Sequence, residues 1–169
     1  MAYTLISSQT LGSTAASVTF SSIPQTYKDL VLRISAKDST AGRNGTMLVY
    51  TNTTTGTNNS FTQLFGNAGS ASATSANATR TFNQFPNMEA GSGLTATASF
   101  CDTEVYIPNY TVASNRQSSS FGTVSDSTAN GYILAVASLS NQATAVTSLI
   151  IVANTLYLAN SSFYLYGIN

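Results

Sequence analysis

The sequence predicts an all-β protein, a single antiparallel jelly-roll-like sandwich of about eight to ten strands over residues 1–169. Three observations lead to this prediction. Runs of β-branched and aromatic residues are short and are separated by clusters of Gly, Asn, Ser and Thr, which is typical of many short strands. Apolar side chains alternate with period two inside these runs, and no amphipathic helical pattern lies between them. Finally, 43% hydrophobic and 7% charged residues exclude a disordered chain, and 169 residues suit one domain.

The clearest predicted strand is Lys28–Lys37, where the apolar side chains at positions 30, 32, 34 and 36 share one face. Pro24 separates it from the preceding strand, since proline cannot donate to a ladder. The remaining predicted strands, of which the fifth is either one bent strand or two, are Tyr3–Ser8, Ser17–Ser21, Thr46–Thr51, Phe61–Phe65, Leu94–Ile107, Ser118–Val124, Tyr132–Leu139, Thr147–Ala153 and Ser162–Ile168.

Three segments are predicted to lie between strands. Asn52–Ser60 and Asn67–Thr79 are low in complexity and rich in small polar residues, so both are expected to be loops. Gly122–Gly131 is expected to hold a turn. A loop as long as Asn67–Thr79 is usually functional.

Two predicted strands carry apolar residues on both faces. In the last one, Phe163 and Leu165 oppose Tyr164 and Tyr166, and the strand near Ile150 has the same property. A strand of this kind is either central or covered by another subunit. Because the outer face of a two-layer sandwich should be polar, we expect a homo-oligomer, either a trimer or, as the alternative, a dimer.

The charge composition limits the possible partners. Six basic and six acidic residues give a net charge of zero, which favours association and argues against nucleic acid, whose phosphates need a basic patch. The start of the chain lacks the basic and long apolar regions of a signal peptide, and no apolar run approaches the ~20 residues that span a bilayer. Synthesis in the cytoplasm and no membrane partner are therefore expected.

Residues suited to catalysis are scarce. The chain has no histidine and a single cysteine, Cys101, which removes histidine relays, most zinc sites and an internal disulfide. Asp102 and Glu104 would share one strand face, as a glycosidase pair or a calcium site could require, but we favour a solvated strand face, because the clustered carboxylates and turn carbonyls of a good calcium site are not visible. Gly91 and Ser92 begin a glycine-rich stretch without the lysine of a phosphate loop. We predict no catalytic residues, no metal and no cofactor.

Interface residues are the remaining candidates. Four of the six basic residues lie within sixteen positions, and two of them, Arg33 and Lys37, belong to the polar face of their strand. Tyrosines are amphipathic residues suited to interfaces, and they also stack on sugar rings. The predicted interface residues are Arg33, Lys37, Tyr157, Tyr164 and Tyr166.

Both ends of the chain resemble a known class of proteins. The segment LGSTAASVTFSSIPQTYKDLVLRISAK, residues 11–37, and the closing SSFYLYGI, residues 161–168, are similar to segments of small structural proteins of tailed bacteriophages. The resemblance implies a jelly-roll-like sandwich on the virion surface, as capsid cement or as part of a tail fibre or spike. It supplies no catalytic residues.

Between these roles, the strand pattern favours capsid cement. It begins at Tyr3 and continues to the last residues, which leaves no attachment arm. We therefore expect a decoration protein whose partners are the major capsid protein or other virion proteins. The alternatives are a tail fibre or spike that binds host glycans through tyrosines and an enzyme whose Asp102 and Glu104 face a cleft.

Overall fold

A computed structural model describes residues 2–39, 45–52, 59–67, 69–80, 85–92, 100–125, 131–140 and 144–169. This part of the chain is all-β, as the sequence predicts, and contains twelve strands. They are β1 (Tyr3–Thr10), β2 (Ala15–Phe20), β3 (Asp29–Asp38), β4 (Gly45–Thr51), β5 (Asn59–Asn67), β6 (Ser70–Arg80), β7 (Phe85–Ser92), β8 (Cys101–Ile107), β9 (Arg116–Ser125), β10 (Gly131–Ser140), β11 (Leu149–Tyr157) and β12 (Ser162–Ile168).

The strands form two groups. Eight of them make one antiparallel sheet in the order β1-β12-β3-β8-β9-β10-β5-β6, and four make a second group in the order β2-β11-β4-β7. Short pairings at the end of β3 connect the groups: Lys37 and Asp38 run parallel to β7, and Asp38 also pairs with Tyr157 of β11. The large sheet positions all the exposed features that are discussed below.

The apolar core lies between the two groups and follows the alternation of β3. Leu30, Leu32 and Ile34 are buried, whereas Arg33 and Ser35 are exposed. Inward residues of β8 and β12 from the large sheet join inward residues of β2, β4 and β11 in one cluster. The result is a sandwich-like arrangement, in which β3 is central because β12 and β8 cover both of its edges.

Most strand predictions are confirmed, and Ser162–Ile168 has the predicted bounds. The loop prediction for Asn67–Thr79 is wrong, because Ser70–Arg80 is a strand paired with β5. Gly69, at a φ of 115°, occupies the left-handed region that favours glycine and lets Ser70 pair directly with Asn67. The strand thus depends on backbone pairing with β5, which its small polar residues do not predict.

Other segments differ in smaller ways. Phe85–Ser92 is a strand that the sequence analysis missed, so Gly91 and Ser92 belong to β7 instead of a loop. The first four residues of Gly122–Gly131 lie in β9 and its last lies in β10, while 126–130 are outside the described residues. Most of the Asn52–Ser60 loop, at 53–58, and the 94–99 part of the bent strand are also outside them.

Asn52 fixes a connecting segment to the end of β4. Its φ is 56°, and its side-chain oxygen accepts hydrogen bonds from the backbone N–H groups of Thr147 (2.7 Å) and Ser148 (3.1 Å). Its amide donates to the carbonyl of Ala145 at 2.6 Å and to the hydroxyl of Thr144 at 3.2 Å. One side chain thereby holds residues 144–148, which lead into β11.

Candidate interaction surface

The large sheet has one face turned away from the core, which we call the outer face. Cross-strand register places its side chains in rows. One row contains Tyr164 of β12, Arg33 of β3 and Glu104 of β8, and it continues through Phe121 of β9 and Ala135 of β10 to Leu64 of β5 and Ala73 of β6. Seven strands therefore contribute neighbouring residues to one surface.

Three of the five predicted interface residues meet on this face. Arg33 pairs in register with Tyr164, and Tyr166 pairs with the adjacent Val31. Tyr164 is exposed and Tyr166 is half-buried. Lys37 is on the same side of β3 but four residues from Arg33, about 13 Å along the strand, where its backbone N–H donates to the hydroxyl of Ser161.

Tyr157 does not belong to this surface, so its prediction as an interface residue is wrong. It is fully buried in the core, and its ring contacts Phe163 edge-on at a centroid distance of 5.0 Å. Burial raises the pKa of its hydroxyl far above the usual value, with smaller contributions from Cys101 and Asp38. Its hydroxyl has no hydrogen-bond partner among the described residues.

Arg33 is the centre of an exposed polar and aromatic cluster. Its Nε donates to Glu104 Oε2 at 2.9 Å, and the two side chains are 53% and 45% exposed. Its guanidinium carbon lies 5.3 Å from the centroid of the Tyr3 ring and 6.0 Å from that of Tyr166. The hydrogen bond to Glu104 raises the pKa of Arg33, while partial burial opposes this effect. Such an exposed ion pair contributes little to stability, but it places both charges on the outer face.

Tyr106 and Asp29 continue this cluster toward the end of the strands. The Tyr106 hydroxyl donates to Asp29 Oδ2 at 2.7 Å, and the backbone N–H of Asn109 donates to Oδ1 at 2.8 Å. The hydrogen bond to Asp29, with burial second, raises the pKa of Tyr106. The buried carboxylate is therefore satisfied within the fold, which explains how Asp29 can be 6% exposed.

Asp102 and Glu104 share the outer face, as their spacing predicts. Asp102 is exposed opposite Ser35, and Glu104 is bound to Arg33. Two positions along a strand separate their Cα atoms by about 7 Å. Within the ranges that the structure describes, no three His, Cys, Asp or Glu side chains group together as a metal site would need. Cys101 packs in the core.

Beside the Arg33 cluster lies a shallow apolar depression, which we call the outer trough. Three adjoining hollows of about 520, 390 and 520 Å³ compose it, and consecutive hollows share residues such as Ala137 and Ala135. Ala135 has Phe121 on one side and Leu64 on the other, so two large side chains flank a methyl group. Phe121, Leu64 and the neighbouring Ile133 are 51%, 60% and 46% exposed.

The outer trough was not predicted from the sequence. The predicted strand over residues 132–139 contained a signal for it, because this strand is apolar on both faces. The inward side chains are Tyr132, Leu134 and Val136, and the outward ones are Ile133, Ala135 and Ala137. The same criterion, apolar residues on both faces, had pointed to Tyr164 and Tyr166 in β12.

Comparisons with known proteins add no relative. No family model, curated protein or solved structure matches the chain. The described residues also contain no helix long and apolar enough to cross a membrane.

Proposed function

We propose that this chain is a non-enzymatic virion structural protein, a capsid decoration protein that binds an assembled protein shell through its outer face. A jelly-roll-like sandwich would serve as the scaffold for this face. The observation that carries the proposal is the outer trough, where Leu64, Phe121 and Ile133 are each about half exposed on one face of the sheet. Contiguous exposed apolar surface on a folded protein marks an interaction site.

The chemistry of this face suits a protein partner. The trough is broad and open, and small side chains such as Ala135, Ala137 and Ser119 form its floor. At one side the Arg33 cluster supplies tyrosine and arginine, the residue types enriched among energetically dominant contacts. An apolar centre beside a polar, solvated border is the usual anatomy of a protein–protein interface.

Binding of this kind would stabilise a shell by mass action. A protein that binds neighbouring subunits of the assembled shell, but not separate subunits, lowers the free energy of the assembled state alone. The major capsid protein is the partner that this role requires. The zero net charge of the chain supports dense packing of copies, since little electrostatic repulsion opposes it.

A second candidate is a glycan-binding module of a tail fibre or spike. Tyr3, 50% exposed, and Tyr164, 36% exposed, present aromatic rings beside Arg33 and Glu104. Aromatic faces next to charged hydrogen-bonding groups can bind a sugar. This candidate places the site on the Arg33 cluster, whereas shell binding depends on the outer trough.

The two candidates are separated by substitutions in a binding experiment. The double variant Leu64→Ser, Phe121→Ser should weaken binding to shells assembled without the protein by at least about tenfold, because both apolar contacts are lost. Val112→Ser is the matched control: Val112 is 49% exposed but lies in the turn after β8. Co-sedimentation with the shells measures each affinity.

Equal binding by the double variant and by Val112→Ser would contradict the proposal. A protein that ignores assembled shells but binds host polysaccharide, with loss of that binding in Tyr164→Ala, would establish the glycan-binding function.

A further inference from the structure

The large sheet ends in a strand with a long regular part. β6 pairs with β5 through seven consecutive residues, from Ser70 to Ala76, and the register shifts only beyond them, between Ala76 and Arg80. Within the described ranges no strand pairs with its other edge. Ser70, Ala71, Ser72, Ala73 and Ser75 are all exposed, and no charged residue precedes Arg80. Natural proteins usually protect such an edge with charges, prolines, bulges or very short strands.

The other outermost strands are less suitable for pairing. The register of β1 against β12 shifts between Leu5 and Ser7, in the middle of the strand. β2 has only four consecutive paired residues, from Ser17 to Phe20, before the register on β11 shifts. A bulge twists an edge away from a flat partner, so β6 offers the longest regular template of the three.

We propose that β6 is a self-association edge, which pairs antiparallel with β6 of a second copy of this chain. The partner strand is inferred from the self-complementarity of β6. The regular part of β6, residues 70–76, consists of uncharged Ala, Ser and Thr residues, so it can meet an identical segment without charge repulsion, and the net charge of each copy is zero. Antiparallel pairing about a two-fold axis closes the assembly as a dimer, whereas pairing β6 with β1 would propagate.

This pairing doubles the candidate interaction surface. Ala71 and Ala73 pair with Gly66 and Leu64 and therefore lie on the outer face. A two-fold axis perpendicular to the sheet keeps the outer faces of both copies on the same side, so their troughs point in one direction. Two troughs that face one flat partner bind with avidity. Only this consequence rests on the proposed function; the pairing itself does not.

The first test is the mass of the isolated protein, measured without any shell. We expect a dimer, twice the 17.6 kDa of the chain, in light scattering after size exclusion. Hydrogen bonding in a strand alternates between its two edges. Of the two variants Ser72→Pro and Ala73→Pro, one therefore removes an N–H that faces away from β5 and the other removes an N–H that faces β5. The variant that loses the N–H facing away from β5 should be a folded monomer. A wild-type monomer at every concentration would overturn the proposal.

Cysteine scanning locates the axis. In a two-fold antiparallel pair one residue lies opposite its own copy, with Cα atoms about 4.5–5.5 Å apart, which is within disulfide range. Single cysteines at positions 70–75 should give a disulfide-linked dimer at one position on oxidation, and the natural Cys101, buried in the core, should not. A dimer without cross-linking at any of these positions, or larger rings, would contradict pairing through β6.

Discussion

At the scale of single residues, Tyr157 places a hydroxyl group inside the apolar core. Its ring packs against Phe163, and its hydroxyl has no hydrogen-bond partner among the described residues. An unsatisfied buried hydroxyl costs free energy. We predict that Tyr157→Phe leaves the stability at pH 7 unchanged or raises it slightly, as measured by urea unfolding.

Tyr157 also makes stability depend on alkaline pH. Burial raises its pKa and that of Tyr110 above the ordinary value, which is near 10 in an unfolded chain. Below pH ~10 both states hold the proton, whereas above it only the unfolded state releases it. Stability should therefore fall as pH rises above ~10, by up to about 1.4 kcal/mol per pH unit for Tyr157, whose pKa in the folded state lies far above the unfolded value. Tyr157→Phe should reduce this slope. An unchanged slope would contradict the burial of Tyr157, and the exposed Tyr164→Phe is the control.

Asn52 contributes more to the stability of the fold than its partial exposure suggests. We predict that Asn52→Ala lowers the free energy of unfolding by at least about 2 kcal/mol, because it removes the side-chain hydrogen bonds to the carbonyl of Ala145 and to the N–H groups of Thr147 and Ser148. Asn160→Ala is the matched control, since Asn160 also has a positive φ, at 70°, so the strain of alanine is common to both. Equal losses in the two variants would show that the Asn52 side chain contributes nothing beyond its backbone conformation.

At the scale of elements, β12 depends on a close contact with the segment that precedes β3. A Cβ atom on Gly167 would collide with the ring of Tyr27, whereas one on Gly131 would meet nothing within 4 Å. We predict that Gly167→Ala costs roughly 1–3 kcal/mol through overpacking and that Gly131→Ala is neutral. Thermal unfolding measures both. A stable Gly167→Ala variant would mean that Tyr27 does not pack over β12.

The sequence predicted strands correctly where an alternating pattern of apolar side chains determines them. The alternation of Leu30, Leu32 and Ile34 placed β3 and its polar outer face correctly, because burial of one face fixes the register. β6 was mistaken for a loop, since Ser and Ala carry no hydrophobic pattern and the strand forms by backbone pairing with β5. β7, which contains Pro86, lacked a strand signal for a similar reason.

The candidate surface was predicted in part for the same physical reasons. Alternation in β3 and β12 brought Arg33, Tyr164 and Tyr166 to one face. Tyr157 was misplaced because its amphipathic character was considered without its position, at the end of β11, where its ring packs against Phe163 in the core. The contribution of Leu64 and Phe121 required the order of β9, β10 and β5 in the sheet, which short-range patterns do not contain.

At the scale of the whole molecule, one broad sheet combines an exposed apolar trough, a polar and aromatic cluster beside it, and the regular strand β6, whose outer edge pairs with no other strand of the described residues. The trough suits attachment to a protein surface, and the edge suits pairing of copies within the same plane. With charged residues at 7% of the chain, neither contact requires the separation of many ions from water. These features together lead us to propose a layer of paired copies on a protein shell.

The position of the protein on the particle tests this account most directly. Imaging of virions with and without the protein should reveal copies distributed over the head, with the outer face toward the shell, and heads that lack the protein should burst under milder conditions. Copies confined to the tail, with heads of unchanged strength, would contradict shell binding and direct attention to Tyr3, Tyr164 and Arg33 as a receptor-binding site.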